Sequence, residues 1–245
     1  MTATVHAELR KLLYTRSLWL LLVAGVAIST AATAVLMFAF KAADIPTTLS
    51  GHGSLRFGPT NVGLLLVLFG IRVFADETHH HTIGSTFVAT PDRLRVLAAK
   101  ALVAATSAFA LCAAIYALVI AVTVAAASAR DLSMTMDLAA TIALFGRVVL
   151  AMTLSSLLGV GLAAAVRNRA IALVGVVVWL ALAENIVGTL LRIPGLMPAS
   201  LMRAVVAGGA SGAGALDAPL AALALVAVVA ASFAAAVVVL RDDVA

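Results

Sequence analysis

Six apolar runs dominate this chain, and their length limits what it can fold into more than any motif it carries. A helix needs about 20 consecutive apolar residues to cross the hydrocarbon core of a bilayer. The runs are Ser17 to Phe40 and, approximately, Pro59 to Ala75, Val96 to Ala127, Leu138 to Val166, Ala170 to Leu191 and Ala218 to Leu240. The second is short, whereas the third and fourth are long enough to tilt or to project beyond the lipid. The rest of the composition leaves no alternative: 64% of the 245 residues are hydrophobic and only 11% are charged. Mean hydropathy is +1.16, and a soluble domain needs far more charge to cover its surface, about 25%. The expected fold class is therefore all-α integral membrane, with six transmembrane helices.

A net charge of +5 and a pI near 10.1 would point to nucleic acid in a soluble protein. Here the cations sit in short loops beside apolar runs, so membrane topology explains them and the partner is the lipid bilayer. With the amino end in the cytoplasm, the inner face carries Arg10, Lys11, Arg16, Arg93, Arg95, Lys100, Arg167, Arg169 and Arg241. The outer face carries Lys41, Arg56, Arg130, Arg192 and Arg203, and Arg72 and Arg147 lie inside spans. The excess of cations predicts a multi-pass protein of the cell membrane with both ends cytoplasmic.

Before the first span, Val5, Leu9, Leu12 and Leu13 share one helical face while Glu8, Arg10 and Lys11 lie off it. Residues 1–16 thus read as an amphipathic helix on the membrane surface, followed by a single transmembrane domain over 17–245. A secretory signal is the rival reading, since Lys11 and Arg16 precede an apolar run containing Ala32-Thr33-Ala34. That run continues unbroken to Phe40, which is too long for a signal's apolar region. On the outer side, Ile193-Pro194-Gly195-Leu196-Met197-Pro198 breaks the fifth span, and Leu201 to Ala207 could form a short helix dipping into the outer leaflet.

One polar segment carries local signals. In Phe74 to Lys100, Asp76 and Glu77 close the incoming helix, and a short helical turn follows with Ile83 and Phe87 on one side. Thr90 reads as an N-cap and Pro91 as the first helical residue of the third span. Arg93, Arg95 and Lys100 then place positive charge at the entry to that span. Such a segment, held between two spans, is a docking surface and not a reaction centre.

Constellations that could carry chemistry are few. Gly209-Ala210-Ser211-Gly212 spells the nucleophile motif of rhomboid intramembrane proteases, but no histidine follows His81 to act as base, so the tract reads as a linker. His79-His80-His81 lacks the spaced partners of a zinc site and reads as a solvated loop, so no metal is expected. The chain contains no GxxxxGK[ST], so it binds no ATP by a P-loop and is not itself expected to be an enzyme. Arg147 and Glu184 fall at comparable depth in the fourth and fifth spans, where a lone charge costs several kcal/mol. They are expected to pair, either as a polar point on a translocation path or as a structural tie between two spans. Arg72, four residues before Asp76, can snorkel or pair at the inner end of its span.

These residues carry a resemblance. Glu77, Thr82-Ile83, Thr86-Phe87-Val88-Ala89-Thr90-Pro91, Arg93, Arg95 and Val96 to Lys100 resemble, at matching spacing, the signature of ABC-2 type permeases of the small six-span actinobacterial kind. His81 departs from it, standing where that family has glycine. Glu8-Leu9, Lys11-Leu12, Thr15-Arg16 and Trp19 also resemble the family's opening helix. The resemblance implies an exporter of amphipathic or hydrophobic compounds in which a second permease chain, identical or paralogous, completes the pore. Two copies of a separate ATP-binding cassette ATPase would hold Mg-ATP, and no cofactor would bind this chain. Asp76, Glu77, Thr78, Thr82, Ile83, Phe87, Pro91, Arg93, Arg95 and Lys100 would form the coupling helix and its flanks. Glu8, Lys11 and Arg16 would belong to the connecting helix, and the segment after the fifth span would be an outer re-entrant element. The alternatives are an intramembrane enzyme, for which no base or metal set is present in the sequence, a non-enzymatic membrane protein without an ATPase partner, and a secondary transporter. The last would be expected to show internal repeats and midplane carboxylates, of which Glu184 is the one candidate.

Overall fold

The computed structural model describes residues 7, 9–10, 16–39, 62–79, 93–166, 168–208 and 216–242, with the backbone alone at 16–19, 21–22, 76–79, 181, 185 and 241–242. Lipid offers no partners for backbone N–H and C=O groups, so apolar runs must satisfy them internally. Among the described residues the regular elements are accordingly helices: α1 Arg16–Ala39, α2 Gly63–His79, α3 Arg93–Ala129 and α4 Leu138–Val166. Next come α5 Arg169–Val178, a π-helical turn Trp179–Ala183 and α6 Glu184–Leu190, which follow one another without a break. A 3-10 turn at Pro194–Leu196 leads into α7 Pro198–Ala207, and α8 spans Ala218–Asp242. Arg93–Ala129, Leu138–Val166 and Ala218–Leu240 are long and apolar enough to cross a membrane. The molecule is an all-helical membrane protein. α3, with 37 residues, reaches about 55 Å at 1.5 Å per residue, well beyond the hydrocarbon core.

The helices track the apolar runs, with local differences. α2 runs past the apolar run through Asp76 and Glu77, expected to close it, and ends two residues later at His79, because no glycine or proline interrupts it there. α7 begins three residues before the expected Leu201, because Pro198 at its first position has a backbone angle already suited to a helix.

α4 is the centre of the bundle. In its most apolar stretch 67% of residues are buried, against 33% for α3 and 28% for α8. It packs against α2, α3, α7 and α8, while α1 lies against α3 and α2. Helices in lipid gain little from burying apolar surface against each other, so they associate by close approach through small residues. Where α2 crosses α4, a Cβ on Gly70 would overlap the carbonyl of Ser156, and one on Gly159 would overlap the carbonyl of Val67. The α4–α8 contact is nearly as close, with Gly161 against the Ser232 side chain. Towards α3, Tyr116 and Phe145 lie 5.1 Å apart with tilted rings, and the Tyr116 hydroxyl donates to Thr141 O at 3.2 Å.

Candidate functional site

The two ends of the bundle differ in chemistry. At one end, α2 finishes, α3 begins and α8 finishes. The last four carbonyls of a helix have no partner within it, and a cation there also meets the negative end of the helix dipole. Arg93 fills this role for α8: its Nη1 donates to Leu240 O at 3.1 Å. The first residue of α3 and the last turn of α8 therefore share a face. Arg95 beside it is exposed. Lys100 differs from its expected place on a docking surface. It is only 1% exposed, and its Nζ donates to Val73 O of α2 at 3.2 Å. Seven residues into α3, about 10 Å from its start, Lys100 is enclosed by α2 and cannot touch a partner subunit.

Of the other residues implied in coupling, Asp76, Glu77 and Thr78 belong to the last turn of α2. Thr82, Ile83, Phe87 and Pro91 lie outside the described residues, as do Glu8 and Lys11. Arg16 opens α1, and Ala7, Leu9 and Arg10 are helical and exposed. The tracts at His80-His81 and Gly209 to Gly214 are likewise outside the described residues.

At the other end, α1 and α3 finish together: Arg130 Nη1 donates to Met37 O in the last turn of α1. The same device recurs around α7, in place of the expected contact between Arg147 and Glu184. The Glu184 carboxylate is 3% exposed, and its Oε1 accepts from the backbone N–H of Ala199 at 2.8 Å and of Ser200 at 3.1 Å. These are the second and third residues of α7. Its N-cap, Met197, offers no side-chain hydrogen bond, and Pro198 has no N–H to give. Glu184 supplies the missing cap from a neighbouring helix, its Oε1 accepting from two N–H groups at the positive end of the dipole.

Arg147 takes the opposite end of α7. Gly208, with φ +81°, closes α7 in the left-handed conformation, and the Arg147 guanidinium lies so close that a Cβ there would overlap it. The two charges hold the ends of one short helix, roughly 13 Å apart by helical rise, and do not meet. The backbone N–H groups of Ala199 and Ser200, not Arg147, are the hydrogen-bond partners of the Glu184 carboxylate. Two atoms are left over: Glu184 Oε2 and Arg147 Nε are buried without a hydrogen-bond partner.

The π turn decides where Glu184 points. The Glu184 N–H bonds Trp179 O, five residues back, which shifts every later side chain around the helix axis. No proline or glycine marks that turn in the sequence. Below it, Trp179, Leu180, Pro198, Leu158, Val67 and Val228 line part of an apolar cavity of about 360 Å³ between α2, α4, α5 and α8. Among the described residues, no group of three or more His, Cys, Asp or Glu is placed to hold a metal. A scan of protein-family models finds none that matches the chain, and no curated protein matches it.

Proposed function

We propose that this chain is the transmembrane permease subunit of an ATP-binding cassette exporter of the ABC-2 type, moving an amphipathic or hydrophobic substrate with ATP hydrolysed by a separate subunit. One observation supports the reading: Arg93, the first residue of α3, bonds the end of α8, and Lys100 of α3 bonds Val73 near the end of α2, so these three helix ends lie together. The excess of lysine and arginine predicts that this end faces the cytoplasm. There the Glu77 to Lys100 connector is available to receive force from an ATPase, with Glu77 and Phe87 as contact residues and Lys100 as an internal anchor. The chain makes six passes, has both ends inside and works with a second permease chain. α7, N-capped by Glu184 and closed at Gly208 beside Arg147, is the outer re-entrant element and lids the exit. ATP binding draws the two ATPases together and swings the bundle between inward- and outward-facing arrangements.

The test is copurification with a P-loop ATPase whose hydrolysis the chain stimulates. Glu77→Ala and Phe87→Ala should preserve insertion and binding of the ATPase while uncoupling hydrolysis from export. Full export by either variant, transport by the chain without an ATPase, or a connector labelled only from outside the cell would overturn the reading.

A further inference from the structure

α2 and α5 leave a groove of about 350 Å³ between them, lined by Leu68, Arg72, Leu173, Val174, Val177 and Val178. Its lining divides into one cation and five aliphatic side chains. Leu68 and Arg72 are one turn apart on α2, as are Leu173 and Val177, and Val174 and Val178, on α5. The aliphatic strip therefore runs along the helices. It faces away from the bundle, because Val174 is 62% exposed and Val178 48%. Arg72 stands seven residues from the end of α2, and the α5 residues four to nine residues from the start of α5. Both distances place the groove within roughly 15 Å of the end where Arg93 meets α8.

We propose that this groove binds one anionic phospholipid, its phosphate on Arg72 and an acyl chain along the five aliphatic side chains. Charge complementarity selects the headgroup. A cation within the apolar part of a bilayer is costly, and an anion brought beside it offsets part of that cost. Basic pockets between membrane helices near a lipid surface take anionic headgroups for this reason. Arg72 already engages a partner within the protein, and a guanidinium has five N–H donors, more than one partner takes up. The lining selects the tail: five aliphatic side chains offer no hydrogen bond to a polar ligand and suit an acyl chain. Free phosphate would satisfy Arg72 but leave the strip bare, so the ligand is a lipid. The site depends only on the chain lying in a bilayer and stands whether or not the chain is a transporter.

The experiment compares retained lipid by native mass spectrometry and thermal melting of the detergent-purified full chain with phosphatidylglycerol, phosphatidylcholine or inorganic phosphate. Phosphatidylglycerol should be retained one per chain and raise the melting temperature, while the other two should do neither. R72Q should lower phosphatidylglycerol retention at least tenfold, and R72K should retain part of it. V174W fills the groove from its lipid-facing side without entering the core, and it should abolish retention even if R72Q fails to fold. Unchanged preference for phosphatidylglycerol in R72Q or V174W, or equal stabilisation by inorganic phosphate, would overturn the proposal.

Discussion

Replacing Glu184 tests whether a side chain from one helix caps another within the membrane. Glu184→Ala strands the N–H groups of Ala199 and Ser200, which now bond Oε1 at 2.8 and 3.1 Å. A hydrogen bond to a charged group contributes about 1.5–3 kcal/mol in soluble proteins, whereas bonds between membrane helices average about 0.6 kcal/mol. Two such bonds give a loss between about 1 and 6 kcal/mol. Glu184→Gln should behave differently. Its amide oxygen can occupy the Oε1 position and accept both bonds, and the lost charge is offset because Oε2 is buried without a partner. The net change for Gln should stay within about 1–2 kcal/mol of the parent protein. The assay is hydrogen exchange at Ala199 and Ser200 with thermal melting alongside. In Glu184→Ala those two amides should exchange at least fivefold faster, since about 1.4 kcal/mol corresponds to a factor of ten. Unchanged exchange at both amides would refute the cap. Equal damage from Gln and Ala would refute it too, because that outcome belongs to a carboxylate whose partner is a guanidinium.

Close helix packing makes a graded prediction at glycine. Gly70→Ala and Gly159→Ala each drive a methyl group into backbone of the facing helix and should cost about 1–3 kcal/mol or more, read as a lowered melting temperature. Gly175→Ala meets nothing within 4 Å and should be neutral or stabilising by up to about 1 kcal/mol, so equal losses at all three positions would contradict the α2–α4 crossing. Cys112, 3% exposed within α3, should resist maleimide in the folded protein and react on denaturation; ready labelling of the native chain would contradict its packing.

Much of this architecture could be read directly from the chain. Lipid turns apolar length into helix, and the described helices start or stop within a few residues of the runs that predicted them. The break at Ile193 to Pro198 was visible, and a short helix was expected after it, but from Leu201 and not from Pro198 where it begins. The charged residues were another matter. Arg147 and Glu184 had matching depth and opposite sign, which suggested contact, yet each found an end of α7. Lys100 had the look of a flanking cation and is enclosed against α2. The π turn had no marker at all, although it sets the direction of Glu184.

Membrane insertion, helical class and approximate helix limits follow from the sequence because the cost of exposing backbone or charge to lipid depends on length and composition, both of which are properties of a line. Which charge satisfies which helix end, which helix occupies the centre and where the lipid-facing groove opens were decided only when the helices packed. Those outcomes depend on distances across the bundle, and residues 37 positions apart, such as Arg147 and Glu184, reach their partners through a third element that neither of them specifies.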